Sequence, residues 1–268
     1  MSFSFTDQCS RVPHLPLLAV SIALVLLGLG LSHSAFNSEW MLTLNHLTPG
    51  WDALWSFATQ FGEGGAALLI LLVLTRFSQE GTALALKVYL LGSLVSPLLK
   101  SGFAYPRPLS QFAPGVLNTI GQPPSGPNSM PSGHSMTVFA TLAVLTVAFS
   151  LHKKIPWIAV LSTCAMLVGV SRVMVGAHWP ADVLAGAGVG LWVTWLSIQW
   201  ELRQPWQPQL DKKMAQWALL LTEMVLTGYL FSANTVTSAE RLAFDLIATV
   251  GIAGVLSRLH RIRHHPWP

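Results

Sequence analysis

Apolar residues in this chain run in long blocks, separated by short breaks that are polar or contain Pro and Gly. A helix needs about 20 mostly apolar residues to cross a bilayer. Eight blocks approach that length: 16–32, 57–75, 82–101, 132–151, 155–175, 180–200, 214–232 and 242–257. The pattern predicts an all-α, polytopic membrane bundle. The second block is the least regular, because its continuous apolar run (64–75) is short and must borrow 55–61 to span. Trp51, Trp55, Trp179 and Trp200 fall near predicted ends, where amphipathic rings favour the interface. One long segment between blocks, 104–131, is irregular and rich in Pro and Gly. Loops of that length are usually functional or disordered.

Composition agrees with the pattern. Of 268 residues, 52% are hydrophobic and 10% charged, with mean hydropathy +0.53; soluble domains carry about 25% charged residues. Basic residues then orient the helices. With the N-terminus inside, the cytoplasmic segments hold Arg11, Arg76, Lys153, Lys154, Arg203, Lys212, Lys213, Arg258, Arg261 and Arg263, ten of the fifteen Lys and Arg. Lys87 lies just inside the third block, and Lys100, Arg107, Arg172 and Arg241 fall outward. The positive-inside rule places both termini in the cytoplasm. The net charge of +4 reflects this topology, and there is no basic tract of the kind nucleic-acid binding uses. Reading the first block as a cleaved signal peptide, with SHSA at 32–35 as cleavage site, leaves the later topology unchanged. A lone Arg11 set against Asp7 favours a retained helix. Cys9, cytoplasmic, and Cys164, mid-helix, predict no disulfide.

Three polar clusters converge on the outward face. KSGFAYPRP places Lys100 and Arg107 seven apart, PSGH opens the fourth block, and SRVMVGAHWPAD carries Ser171, Arg172, His178 and Asp182. Singly, each has a plain structural reading: snorkelling cations or a helix cap. Together they put three like charges beside an apolar layer, where each charge costs about 2.5–3.5 kcal/mol on insertion scales. An oxyanion that neutralises them is the economical explanation. The tripeptide Pro-Ser-Gly occurs twice, at 124–126 and 131–133. The second copy leads into a helix: Ser132 suits the N-cap, Gly133 admits an anion to the backbone N–H groups, and His134 follows. The first copy is followed by Pro127 and Pro131, has neither helix nor dipole, and is read as a turn in a lid. His178 and Asp182 stand i, i+4 around Pro180, so the carboxylate can fix the imidazole tautomer and raise the nucleophilicity of the other nitrogen. His134 is then available as general acid.

These residues, Lys-x6-Arg-Pro, Pro-Ser-Gly-His and Ser-Arg-x5-His-x3-Asp, resemble the signature of the type 2 phosphatidic acid phosphatase (PAP2) superfamily at all eleven motif positions, in order. The motifs cover 100–182. The resemblance implies a six-helix core within 1–200, spanning roughly 16–200. Residues 201–268 form a two-helix transmembrane extension with a basic cytoplasmic tail. It also implies that His178 is a nucleophile forming a phosphohistidine, oriented by Asp182. His134 is implied as the acid that protonates the leaving group, and Lys100, Arg107, Arg172, Ser132 and the Gly133 N–H as phosphate ligands. The family's phosphatases need no metal or other cofactor, and no metal-ligand cluster is visible in the sequence.

The expected activity is a membrane lipid phosphatase in a bacterial inner membrane, acting on a lipid phosphate or diphosphate at the outer surface. Undecaprenyl diphosphate is favoured over phosphatidic acid, phosphatidylglycerophosphate and lipid A phosphates. A phosphotransferase would use the same phosphohistidine. A haloperoxidase shares the residues but is soluble, and a lipid transporter or scaffold would not need the His178–Asp182 pair. Glu223 and Asp245, carboxylates inside apolar runs, are expected to be structural, Asp245 pairing with Arg241.

Overall fold

The computed structural model describes residues 14–124 and 126–264; Asp7, Cys9, Arg11 and Ser125 lie outside them. Every regular element among the described residues is helical. The helices are α1 His14–Ser32, α2 Ala35–Asn45, α3 Asp52–Thr59, α4 Gly64–Leu74, α5 Gln79–Phe103, α6 Gly133–Ala148, α7 Ile155–Met174, α8 Pro180–Arg203, α9 Gln207–Leu210, α10 Lys213–Ser232 and α11 Ser238–His264. Six are long and apolar enough to cross a membrane: α1, α5, α7, α8, α10 and α11.

The second and fourth predicted blocks differ from expectation. The second is not one helix. It is the pair α3 and α4, bent by 64°. Its break carries Gly62-Glu63-Gly64-Gly65, and glycine disfavours a helix interior by about 1 kcal/mol. Glu63 is extended there, and its carboxylate accepts from the Ala66 N–H at 2.7 Å, starting a new helix. The fourth block, α6, has 16 residues. At 1.5 Å per residue it rises about 24 Å, less than the roughly 30 Å hydrocarbon core. Helix α2 was not anticipated from the pattern. Its buried Asn45 donates to the carbonyls of Asn118, Val173 and Met174 at 3.0–3.1 Å and accepts from the Asn118 N–H at 2.7 Å. It thereby ties the 104–131 segment to the end of α7.

Helix α8 is the axis, with α1, α5, α6 and α7 packed around it. Lipid supplies no hydrophobic drive between helices, so small residues that allow close backbone approach take its place. A methyl on Gly186 would stand 2.5 Å from the Ser132 carbonyl oxygen, and one on Gly188 2.6 Å from that of Ser21. This closeness brings the N-terminus of α6 against the first turns of α8.

On the other side, α10 and α11 pair and pack on α3 and α4. Glu223 takes both Arg258 Nε (3.0 Å) and Nη2 (2.7 Å) within the bundle, while Arg241 and Asp245 pair at 2.9 Å. Glu223 ties α10 to α11, and Asp245 braces Arg241 within α11. Arg258, expected beyond the end of the last span, is instead inside it: α11 continues past 257, and the guanidinium is buried. Lys87 is likewise buried, against Glu201. Trp51 is exposed, but Trp55 and Trp179 are buried rather than interfacial. Trp179 packs on Phe112 and Tyr105, with ring centroids 5.6 and 6.4 Å away.

Candidate active site

The start of α8 sets the first pair of groups. Pro180 occupies the first turn, where no N–H is needed. Asp182 Oδ2 reaches back to the Trp179 N–H at 2.9 Å, and the same oxygen lies 3.1 Å from His178 Nδ1. One carboxylate oxygen thus begins the helix and fixes the imidazole. With Nδ1–H donated to Asp182, the Nε2 lone pair faces outward from that bond, 3.5 Å from Arg107 Nη1. Burial pushes the His178 imidazole well below the usual histidine range, and the charges of Arg172, Lys100 and Arg107 and the nearby His134 push the same way. The ring is held neutral.

Three cations come from three different elements. Lys100, in the last turn of α5, donates to the carbonyls of Ser129 (3.3 Å) and Asn128 (3.5 Å). Arg107, in the loop, donates from Nε to the Gly126 carbonyl at 2.7 Å and from Nη1 to that of Ala177 at 3.1 Å. Arg172, in the last turn of α7, donates from Nη1 to Thr59 Oγ1, and its buried Nε has no partner. The Arg172 carbonyl accepts from the His178 N–H at 3.1 Å, which closes the turn between α7 and α8.

The two Pro-Ser-Gly copies have different tasks. Ser132 caps α6: its Oγ accepts from the Ser135 N–H at 3.4 Å and lies 3.1 Å from Ser135 Oγ. The side chain is wholly buried, so its hydroxyl serves the helix start. At Gly133 an added methyl would meet nothing within 4 Å, so the N-terminus opens into free space. The first copy does more than turn the chain. Gly126 has φ +82°, a left-handed conformation suited to glycine, and its carbonyl is the one that holds Arg107. The loop itself is anchored by Ser129 N–H to the Tyr105 carbonyl and by Trp179 Nε1 to that of Pro106, both 2.8 Å.

Beside His134 lies a cavity of about 480 Å3 running between α4, α5 and α6, lined by Gly62, Gly64, Tyr89, Gly92, Gly133 and His134 among others. A methyl on Gly62 would stand 2.9 Å from His134 Cβ. Thr59 and Gly62 lie outside every motif; the only trace of them in the sequence is the polar, Gly-rich interruption of the second block. Among the described residues no three His, Cys, Asp or Glu side chains are grouped as a metal site.

The profile of the PAP2 superfamily matches residues 81–206. An undecaprenyl-diphosphatase of Sulfolobus acidocaldarius is 30% identical over 193 residues, 70% of this chain and 89% of that protein. The crystal structure of Aquifex aeolicus LpxE superposes with a TM-score of 0.55 at 27% identity, over 63% of this chain and 98% of that one. A transmembrane PAP2-type phosphatidylglycerolphosphate phosphatase from Bacillus subtilis shares the fold, with a TM-score of 0.50 at 24% identity over 69% and 96% of the two chains.

Proposed function

The chain belongs to the PAP2 superfamily and is an integral-membrane lipid phosphatase, and from that premise we propose how and on what it acts, without a metal ion. His178 Nε2 attacks the phosphorus of a lipid phosphate or diphosphate. The bond from phosphorus to the leaving oxygen breaks, and His134, which takes up a proton once the anionic substrate offsets the surrounding cations, gives that oxygen the proton. Attack leaves His178 as an imidazolium whose Nδ1–H is shared with the Asp182 carboxylate. Water, deprotonated by His134, then displaces the phosphohistidine nitrogen and restores a neutral His178. Lys100, Arg107, Arg172 and the α6 N-terminus at Ser132–Gly133 carry the charge on the phosphoryl oxygens through both transfers.

The observation that carries this reading is the single Asp182 oxygen on Nδ1 at 3.1 Å, with Nε2 turned to the cations. Binding alone has no use for a fixed tautomer. The apolar cavity beside His134 supports a lipid tail leaving the site along α5. Undecaprenyl diphosphate is the favoured substrate, supported by the relative that matches over most of its length. We read 1–200 as the phosphatase core and 201–268 as an extension. The basic residues support a site facing outward from a bacterial cytoplasmic membrane, with both termini inside.

Purified protein assayed for phosphate release against undecaprenyl diphosphate, phosphatidic acid, phosphatidylglycerophosphate and lipid A should show the highest kcat/KM for the first, undiminished by EDTA. A higher value for any diacyl lipid would reassign the substrate, and a strict Mg2+ requirement would end the mechanism. In a cysteine-free background, Ser238→Cys should label with an impermeant thiol reagent in spheroplasts and Lys154→Cys should not. The opposite pattern would place the site on the cytoplasmic face.

A further inference from the structure

Thr59 ends α3, is 4% exposed, and stands on the bend that interrupts the second span. Its Oγ1 accepts the hydrogen bond from Arg172 Nη1. Arg172 is 8% exposed, its Nε has no partner, and its Nη2 makes no hydrogen bond among the described residues. A guanidinium is a rigid planar fork of five donors. Fixing Nη1 therefore sets the direction of the Nε–Nη2 edge, and that edge is the one shaped for two parallel bonds to an oxyanion. A hydroxyl suits this task where a carboxylate would not. It orients the cation without cancelling the charge the phosphate needs.

The same bend also registers the second histidine, since Gly62 packs on His134. From behind, Ser56 Oγ on α3 lies 2.6 Å from Thr237 Oγ1, in the segment that leads into α11. The bend is thus held between the site and the C-terminal helices. We infer that Thr59 is a positioning residue of the phosphate site, aiming the open edge of Arg172 at the phosphoryl oxygens. The inference rests on Arg172 being a phosphate ligand, as proposed above.

The test measures vanadate affinity by calorimetry, together with kcat/KM, for Thr59→Val, Thr59→Ser, Arg172→Ala and the Thr59→Val/Arg172→Ala pair. A hydrogen bond to a charged group predicts that Thr59→Val weakens vanadate binding about 10- to 100-fold. Thr59→Ser should recover most of that loss. On the Arg172→Ala background Thr59→Val should change nothing further, because the two act as one unit. Should Thr59→Val not fold, Thr59→Ala compared with Thr59→Ser carries the same contrast. Equal losses for Val and Ser, or a full additional loss on the Arg172→Ala background, would make Thr59 mere scaffold and overturn the inference. Wild-type vanadate affinity in Thr59→Val with weak binding in Arg172→Ala would overturn it while leaving the site reading intact. Wild-type affinity in Arg172→Ala would overturn both.

Discussion

Arg172 and Arg258 are both buried arginines on apolar helices, and they differ in how their donors are used. Arg258 gives Nε and Nη2 to Glu223 and Nη1 to Gln216 Oε1 at 2.8 Å, and its pair carries no net charge. Arg172 sits in a cluster with Lys100 and Arg107, against the single carboxylate of Asp182, and keeps a donor without a partner. A matched buried pair holds helices in register. Excess positive charge with an unpartnered donor is costly unless an anion arrives. The contrast separates architecture from chemistry within one membrane protein, although both clusters look alike as charges in apolar runs.

The largest expected effect tests the chemical side. His178→Ala should lower kcat by roughly 10⁴–10⁶ with the fold intact. An alkaline quench of wild type should trap phosphate on His178; label on another residue would refute the assignment. His134→Ala should cost about 10²–10⁴ for lipid substrates and less for an aryl phosphate, whose leaving group needs little protonation. Equal losses on both would remove His134 from the acid role.

The architectural side predicts a different signature. Arg258→Ala strands a buried Glu223 carboxylate and should destabilise by about 3–5 kcal/mol, whereas Glu223→Leu with Arg258→Met should be near neutral. Folded fractions of both variants should bind vanadate as wild type does. A loss of vanadate affinity in the double variant would erase the distinction between the two arginines.

The smallest effect is a displaced titration. Burial and the neighbouring cations hold His178 below its ordinary value, so the folded protein keeps the ring neutral where the unfolded chain takes up a proton. Its contribution to stability therefore falls as pH drops through about 6.5. Histidine-selective NMR should find His178 still unprotonated at that pH. Half-protonation at or above it would contradict the electrostatics of the site.

Lys100, Arg107, Arg172, His134, His178 and Asp182 were all legible in the sequence, because short spacings and helix-start signals act locally: Asp182 reaches His178 and the Trp179 N–H within one turn. The same is true of Ser132 at the start of α6 and of the ion pair from Arg241 to Asp245. Apolar block length likewise gave seven of the eight predicted segments as single helices, with the sixteen-residue α6 shorter than expected.

The remainder depends on contacts between residues far apart in the chain, which no local pattern encodes. Thr59 meets Arg172 across 113 positions, and Glu223 meets Arg258 across 35. Gly126 is read from the sequence as part of a turn in a lid, and its carbonyl holds Arg107 because the loop folds back on itself. The bend at Glu63 was written in the local sequence as a weak span, but its purpose appears only where α7 and α6 pack against it. Sequence alone determined which groups can carry charge and where seven of the long apolar helices lie. Only the packing of those helices decided which charges are satisfied by neighbours and which remain directed at an anion, since that depends on partners brought together through space.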